Sequence, residues 1–420
     1  MTISAVRVTP IAFRDPPLLN VVGIHEPYAL RTIVEVESSD GPLGLGETYG
    51  DSAMLAGLRT VQEHLIGLDP FDLNGLRTVI GRHLTAGGDE GLSVAPGTLR
   101  RNLPSKVEAA FEVAFLDLQG QLLQRPLVDL LGGAVRDRVP YSAYLFYKRA
   151  RHQGWAPEHD DPWGEALDPA GIVAQARRMR DEHGFASIKL KAGVLEPARE
   201  AATMQALATA FPGTPLRIDP NGGWTVATSV RLARELAGVL EYLEDPTPGL
   251  EGMAEVARQV DVPLATNMVI TAFEHLPAGL RLGSAQVILA DHHYWGGLRL
   301  TQHLATICDT WGLGVSMHSN SHLGISLAAM THLAASVPNL TYACDTHYPW
   351  QEDEVIEGGK LRFEDGALKV PSAPGLGVTL DRDALARLHE QYLRCGIRDR
   401  DDVAEMRKYR PDWTGALPRF

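Results

Sequence analysis

The chain has 420 residues, 45% of them hydrophobic and 22% charged, with a formal net charge of -13. That length exceeds one small core and calls for two domains, or one large barrel with an addition. The acidic balance argues against nucleic acid as the main partner, since a phosphate backbone needs a basic surface.

The three cysteines, Cys308, Cys344 and Cys395, are far apart and imply neither a disulfide framework nor a cysteine-based zinc site. The start, "MTISAVRVTPIAFRD", lacks a signal-peptide apolar core, and no stretch reaches the roughly 18 to 20 apolar residues of a membrane span. A reduced, cytoplasmic protein with no membrane partner is expected.

In residues 1–136, "AVRVTPIAF", "RTIVEVES" and "GPLGLGE" alternate like strands of an antiparallel meander, and "SKVEAAFEVAFLDLQGQLLQ" follows as a helix. An α+β capping domain is expected there. "GLGETYG", Gly44 to Gly50, lacks the spacing of a dinucleotide fingerprint and reads as a loop.

From 137 to 375 short apolar runs alternate with amphipathic helical stretches. The runs are "VPYSAYLFY", "SIKLK", "PLRID", "LEYLE", "PLATN", "AQVILAD", "LGVSMH" and "LTYACDTH". Strand and helix in alternation imply a parallel sheet with crossover helices, and eight units imply a (β/α)8-type barrel, so the fold class is α/β. Arg151 to Gly171 is a polar insertion after the first barrel strand. The charged helical segment 376–420 is expected to pack back on the capping domain.

Barrel active sites lie at the C-terminal ends of the strands. Those ends carry Lys189 and Lys191, Asp219, Glu244, Asn267, Asp291, His318, and then Asp345 with His347. Asp219, Glu244 and Asn267 are 25 and 23 residues apart, one βα unit each, so three oxygen ligands converge. Any one alone is readily a helix N-cap; three on consecutive strands point to a hard cation, Mg2+ or Mn2+.

Lys189 and Lys191 share one side of a strand by period two. A solvent edge is the ordinary fate of such a pair, but beside a metal their mutual repulsion would lower the pKa of a general base. Asp291 can fix the tautomer of His318 and leave the other nitrogen as a base. Bases on opposite walls with a metal between suit proton abstraction next to a carboxylate, with the cation stabilising the enediolate.

These residues, in this order, resemble the enolase superfamily, and within it the glucarate dehydratase family. The motifs are "HEPYALRTIVEVES", "GLGETYGD", "YLFY", "IKLKAG", "RIDPNGGW", "YLEDP", "LATNMV", "LADHHYW", "MHSNSHLGISLA", "DTHYPWQ" and "RDDVAEMRKY", and they span nearly the whole chain. The resemblance implies Mg2+ held by Asp219, Glu244 and Asn267, with Lys191 as base on one face and His318, oriented by Asp291, on the other. The same histidine would then help hydroxide leave. It implies substrate contacts at Lys189, His25, Thr98, Tyr144, Phe146, Asn221, Ser319, Asn320, His347 and Arg400.

The implied activity is a hydro-lyase acting on a six-carbon aldarate, D-glucarate or L-idarate, to give 5-dehydro-4-deoxy-D-glucarate. "HHYWGGLR" after Asp291 departs from the family's usual loop and, with the 151–171 insertion, bears on substrate preference. The alternative is a dehydratase of another aldarate or aldonate. A zinc hydrolase using His292, His293, His318 and His322 is disfavoured, because adjacent histidines on a strand point to opposite faces and the lysines would have no role. A non-catalytic acid-sugar binder is disfavoured because every base and ligand is present. Barrels of this kind often form homo-oligomers, though no interface is legible in the sequence.

Overall fold

The computed structural model describes residues 1–85, 102–155 and 161–420. Three antiparallel strands come first, β1 (Ile3–Arg14), β2 (Tyr28–Ser38) and β3 (Leu43–Tyr49), in the order β1-β2-β3. Helices α1 (Ser52–Gln62), α2 (Leu73–His83), α3 (Leu103–Leu123) and α4 (Leu127–Leu130) follow. "GLGETYG" is therefore strand β3, not a loop. Its glycines serve packing: a Cβ on Gly44 would sit 2.0 Å from Ala114 O, and one on Gly46 2.4 Å from Ala110 O. Without side chains there, α3 lies directly on the sheet.

The barrel begins at β5 (Ala143–Phe146), because the run read as its first strand is split. The preceding β4 (Arg138–Pro140) instead pairs antiparallel with β12 (Ala367–Lys369). Then α5 (Pro169–His183), β6 (Ile188–Lys191), α6 (Pro197–Ala210), β7 (Leu216–Asp219), α7 (Val226–Glu235), β8 (Leu240–Glu244), α8 (Leu250–Ala257) and β9 (Leu264–Thr266) alternate. The series continues through α9 (Leu276–Leu282), β10 (Val287–Ala290), α10 (His292–Trp295), α11 (Leu298–Thr310), β11 (Gly314–Met317) and α12 (Gly324–Ser336). Local chemistry sets these boundaries. The Asp168 carboxylate accepts from Gly171 N to cap α5, Pro169 opens it, and Gly184 closes it at φ 74°.

The parallel sheet has seven strands, β5 to β11 in sequence order. The eighth expected strand, "LTYACDTH", is not a continuous one. Leu340 bridges to Val315 and Cys344 to Tyr141, both in parallel, so the segment spans the two edges by isolated bridges. The Ala343 carbonyl accepts from Arg217 Nη1 and Ser316 Oγ, both at 2.8 Å. Side chains thus take a carbonyl that a ladder would have used.

Helix α13 (Arg382–Cys395) packs on β1, with His389 Nδ1 2.7 Å from Pro10 O. After α14 (Asp402–Arg407) the last residues reach the loop that follows β7. Arg419 N donates to Gly223 O at 2.8 Å and its Nη1 to Val21 O at 2.8 Å. Among the described residues, no helix is long and apolar enough to cross a membrane.

Candidate active site

Strands β6, β7 and β8 end on Lys191, Asp219 and Glu244. Asn267, Asp291 and His318 each come one residue after β9, β10 and β11. After Asp219 the chain must turn at once, and Asn221 does so at φ 55°, a left-handed conformation that asparagine tolerates. Its backbone N–H donates to Asp219 Oδ1 at 3.0 Å. Asp245 sets the next wall: its carboxylate accepts from Thr266 Oγ1 at 2.5 Å and from Asn267 N at 2.8 Å. Burial pushes the Asp245 carboxyl up to about 7.

A small cavity is lined by Asn20, His25, Tyr144, Phe146, Lys191, Asn221, His318, Ser319, Asn320, His347 and Arg400. It brings together all the expected substrate-contacting residues except two. Thr98 lies outside the described residues. Lys189 departs from expectation: it is fully buried and does not line the cavity.

The Lys189 ammonium lies 2.7 Å from Glu244 Oε1, 2.7 Å from Asp345 Oδ2 and 3.6 Å from Asp219 Oδ2. Glu244 Oε2 is also 2.6 Å from it but off the line of a hydrogen bond. Burial opposes the charge on Lys189, yet Asp345 and Glu244 hold its pKa well above the ordinary value. Mutual depression of two lysines is therefore not what governs it; the carboxylates outweigh the neighbouring cation.

Lys191 Nζ donates to Asp219 Oδ2 at 2.7 Å, and Tyr144 donates to the same oxygen at 3.3 Å. Burial and the nearby Asp219 raise Glu244 well above the usual carboxylate range, a sign of surplus buried negative charge. Asn267 is buried and its Oδ1 has no hydrogen-bond partner. Burial opposes the charge on Asp219 as well, yet Lys191 and Lys189 hold it below the usual carboxylate range. Two buried carboxylates and an unpartnered amide oxygen on successive strand ends are oxygen donors of the kind a hard divalent cation takes.

His318 Nδ1 is 3.1 Å from Asp291 Oδ2. Burial opposes the charge on Asp291, yet His293 and His318 hold it well below the usual carboxylate range. His293 and His292 belong to the turn α10, not to a strand, and their ring centroids are 4.0 Å apart. The opposite-faces argument against zinc therefore fails, and Asp291, His292 and His293 do cluster. Arg31 Nη2, 3.2 Å from His293 Nε2, sets a permanent cation against that cluster.

His25 Nδ1 is held by Asp15 Oδ2 at 3.0 Å. Arg400 forks onto Asp402 at 2.8 and 2.6 Å, and Asn20 Nδ2 donates to Asp402 at 2.5 Å. Nothing in the sequence pattern around Asn20 marks it as a cavity residue. Asp345 stands at an expected strand end, whereas Asp245 follows Glu244 with nothing to single it out; only packing shows that they hold Lys189 and Asn267.

Glu200 braces the loop after Lys191, accepting from the N–H groups of Gly193, Val194 and Leu195 at 2.9 to 3.0 Å. Burial pushes its carboxyl up to about 7. The folded chain then holds a proton that the unfolded chain has released between pH 4.5 and 7. This group's contribution is thus full below the unfolded pKa and is lost as pH rises through 7. We expect the stability difference between wild type and Glu200→Gln to move against wild type by on the order of 3 kcal/mol from pH 5 to pH 8. Urea unfolding across that range checks it; a flat difference would refute it.

Residues 3–132 match the mandelate racemase / muconate lactonizing enzyme N-terminal domain, and residues 171–384 match the enolase C-terminal domain-like family. A probable glucarate dehydratase of Streptomyces coelicolor is 53% identical, covering 100% of this chain and 99% of that one. The crystal structure of an enolase from Pseudomonas fluorescens Pf0-1, with bound magnesium, potassium and tartrate, superposes with a TM-score of 0.96 at 60% identity, over 100% of this chain and 99% of that one. One from Thermobispora bispora, complexed with magnesium and formate, gives 0.95 at 56% over the whole of both chains. With Lys191 and His318 lining one cavity and carboxylates at the neighbouring strand ends, the chain belongs to the enolase superfamily, among its glucarate dehydratase-like lyases.

Proposed function

We propose that the protein is a Mg2+-dependent dehydratase of an acid sugar, D-glucarate or L-idarate first, yielding 5-dehydro-4-deoxy-D-glucarate. The observation that carries it is one cavity lined by both Lys191 and an Asp291-held His318, beside the oxygen set of Asp219, Glu244 and Asn267. The relatives' names and the magnesium in the solved structures support it. Asp219, Glu244 and Asn267 would hold the cation, and Mn2+, with the same oxygen preference, would substitute. When bound, the cation supplies positive charge beside the substrate carboxylate, next to the carbon that loses its proton.

The chain's own residues do the rest. With its proton directed to Asp291, the Nδ1 of His318 is occupied and Nε2 is left to move protons in the cavity. As a base it takes the proton α to the carboxylate; as an acid it gives one to the departing hydroxide. Lys191 serves the opposite face, which lets substrates epimeric at that carbon enter the same reaction. Arg400, Asn20, His25 and Asn320 surround the remaining cavity wall and suit the distal hydroxyls and carboxylate.

Turnover of a panel of aldarates and aldonates, with and without Mg2+, detecting the 2-keto product, tests this. Mg2+-dependent turnover of glucarate or idarate is expected. Turnover of a different acid sugar alone would reassign the pocket, and turnover of none would overturn the reading. Lys191→Ala is expected to lower proton exchange from the lysine face by about 10²- to 10⁴-fold while leaving the His318 face active. Unchanged exchange from the lysine face in deuterium oxide would remove Lys191 as its base.

The same proposal divides the chain into a cap of residues 1–136, a catalytic barrel of 137–375 and a closing segment of 376–420. The packing of α13 on β1 supports it. A cytoplasmic location accords with the thiols of Cys308, Cys344 and Cys395, all unpaired.

A further inference from the structure

His293 has no part in the chemistry above, yet it is buried and pinned at both ends. Its Nδ1 is 2.7 Å from Asp291 Oδ1, and its backbone N–H donates to the same oxygen at 2.9 Å. An ionised carboxylate only accepts, so the proton of this contact sits on His293 Nδ1. The other carboxylate oxygen, Oδ2, is the one that meets His318 Nδ1. At the far end, His293 Nε2 lies 3.2 Å from Arg31 Nη2, 3.2 Å from Glu47 O and 3.1 Å from Ser326 Oγ.

Arg31 and Glu47 come from β2 and β3, and they are fixed themselves. Arg31 Nε donates to Glu47 Oε1 at 2.9 Å. Glu47 accepts from Leu323 N and Ser326 N, each at 2.8 Å, at the start of the helix that follows the His318 loop. The N-terminal sheet therefore grips both catalytic loops, one through His293 and one through Glu47.

We propose that His293 is a positioning residue: anchored by Arg31 of the N-terminal sheet, it fixes the plane of Asp291 and thereby keeps His318 protonated on Nδ1. The proposal rests on His318 being the acid–base residue. Without the His293 ring, only the backbone N–H of residue 293 still holds Asp291 Oδ1, so the carboxylate plane can tilt and neutral His318 loses part of the bias that keeps its proton on Nδ1.

The test uses 15N-histidine NMR on the full chain without metal or substrate, so it does not depend on which acid sugar is turned over. In wild type, His293 and His318 should both carry a proton on Nδ1. His293→Phe, which keeps the ring volume and loses the donor, should move neutral His318 towards the Nε2–H form. His293→Asn, whose amide can donate from about the same place, should restore Nδ1–H. In steady state the Phe variant should lose roughly 10- to 100-fold in kcat with KM within about twofold, and the Asn variant should recover most of it.

An unchanged His318 tautomer in folded His293→Phe would overturn the proposal. If that variant does not fold, wild type decides alone: a His293 ring bare at Nδ1 overturns it, and a protonated Nδ1 supports it. Failure of every aldarate as substrate would instead count against the dehydratase reading and leave the tautomer result standing.

Discussion

His318→Asn is expected to lower dehydration by about 10²- to 10⁴-fold, the usual worth of one positioned acid–base group. Asparagine fits the space and can still meet Asp291, but it has no nitrogen that gains and loses a proton near neutral pH. Two steps suffer together, proton removal on the histidine face and protonation of the leaving hydroxide. Lys191 remains, so proton exchange from its own face should persist in the same variant. The measurement is product formation and deuterium incorporation, side by side, at saturating Mg2+. Full dehydration by His318→Asn would remove the histidine from the mechanism. Loss of both signals would mean that the substitution had disturbed the shared site.

Lys189→Met is expected to cost about 3 to 5 kcal/mol of stability, the usual penalty for leaving buried charge without its partner. The ammonium touches Glu244 and Asp345 at 2.7 Å and has Asp219 at 3.6 Å, all with no exposure to solvent. Methionine fills the volume and supplies no charge, so three carboxylates are left to Lys191 and the more distant Arg217, 3.8 Å from Asp345. Burial and the nearby Asp219 already raise the Glu244 carboxyl well above the usual carboxylate range. Losing Lys189 pushes it further the same way. The variant should therefore regain stability as pH falls, and Mg2+ should raise its melting temperature more than that of wild type. Urea unfolding with and without Mg2+ checks both. Wild-type stability with only a raised KM would show instead that Lys189 meets substrate.

The alternation of strands and helices, and the residues standing at the strand ends, are legible along the chain alone. Those signals are local: apolar period, caps, and turn formers such as the Pro-Asn-Gly-Gly after Asp219. What they do not determine is depth. Lys189 and Lys191 share one side of β6, but two residues along a strand is about 6.5 Å. That distance separates an ammonium under three carboxylates from one lining the cavity.

Closure and support were likewise decided only in three dimensions. The eighth barrel segment reads as a strand because its residues suit one. Arg217 and Ser316 take the Ala343 carbonyl, and the ladder never forms. Adjacent His292 and His293 share a turn rather than opposite faces of a strand, because α10 starts immediately after Asp291. The grip of Arg31 and Glu47 on the catalytic loops joins residues more than 240 positions apart, as Arg31 and His293 show. No local pattern encodes such a contact, since it exists only once the N-terminal sheet has docked on the barrel.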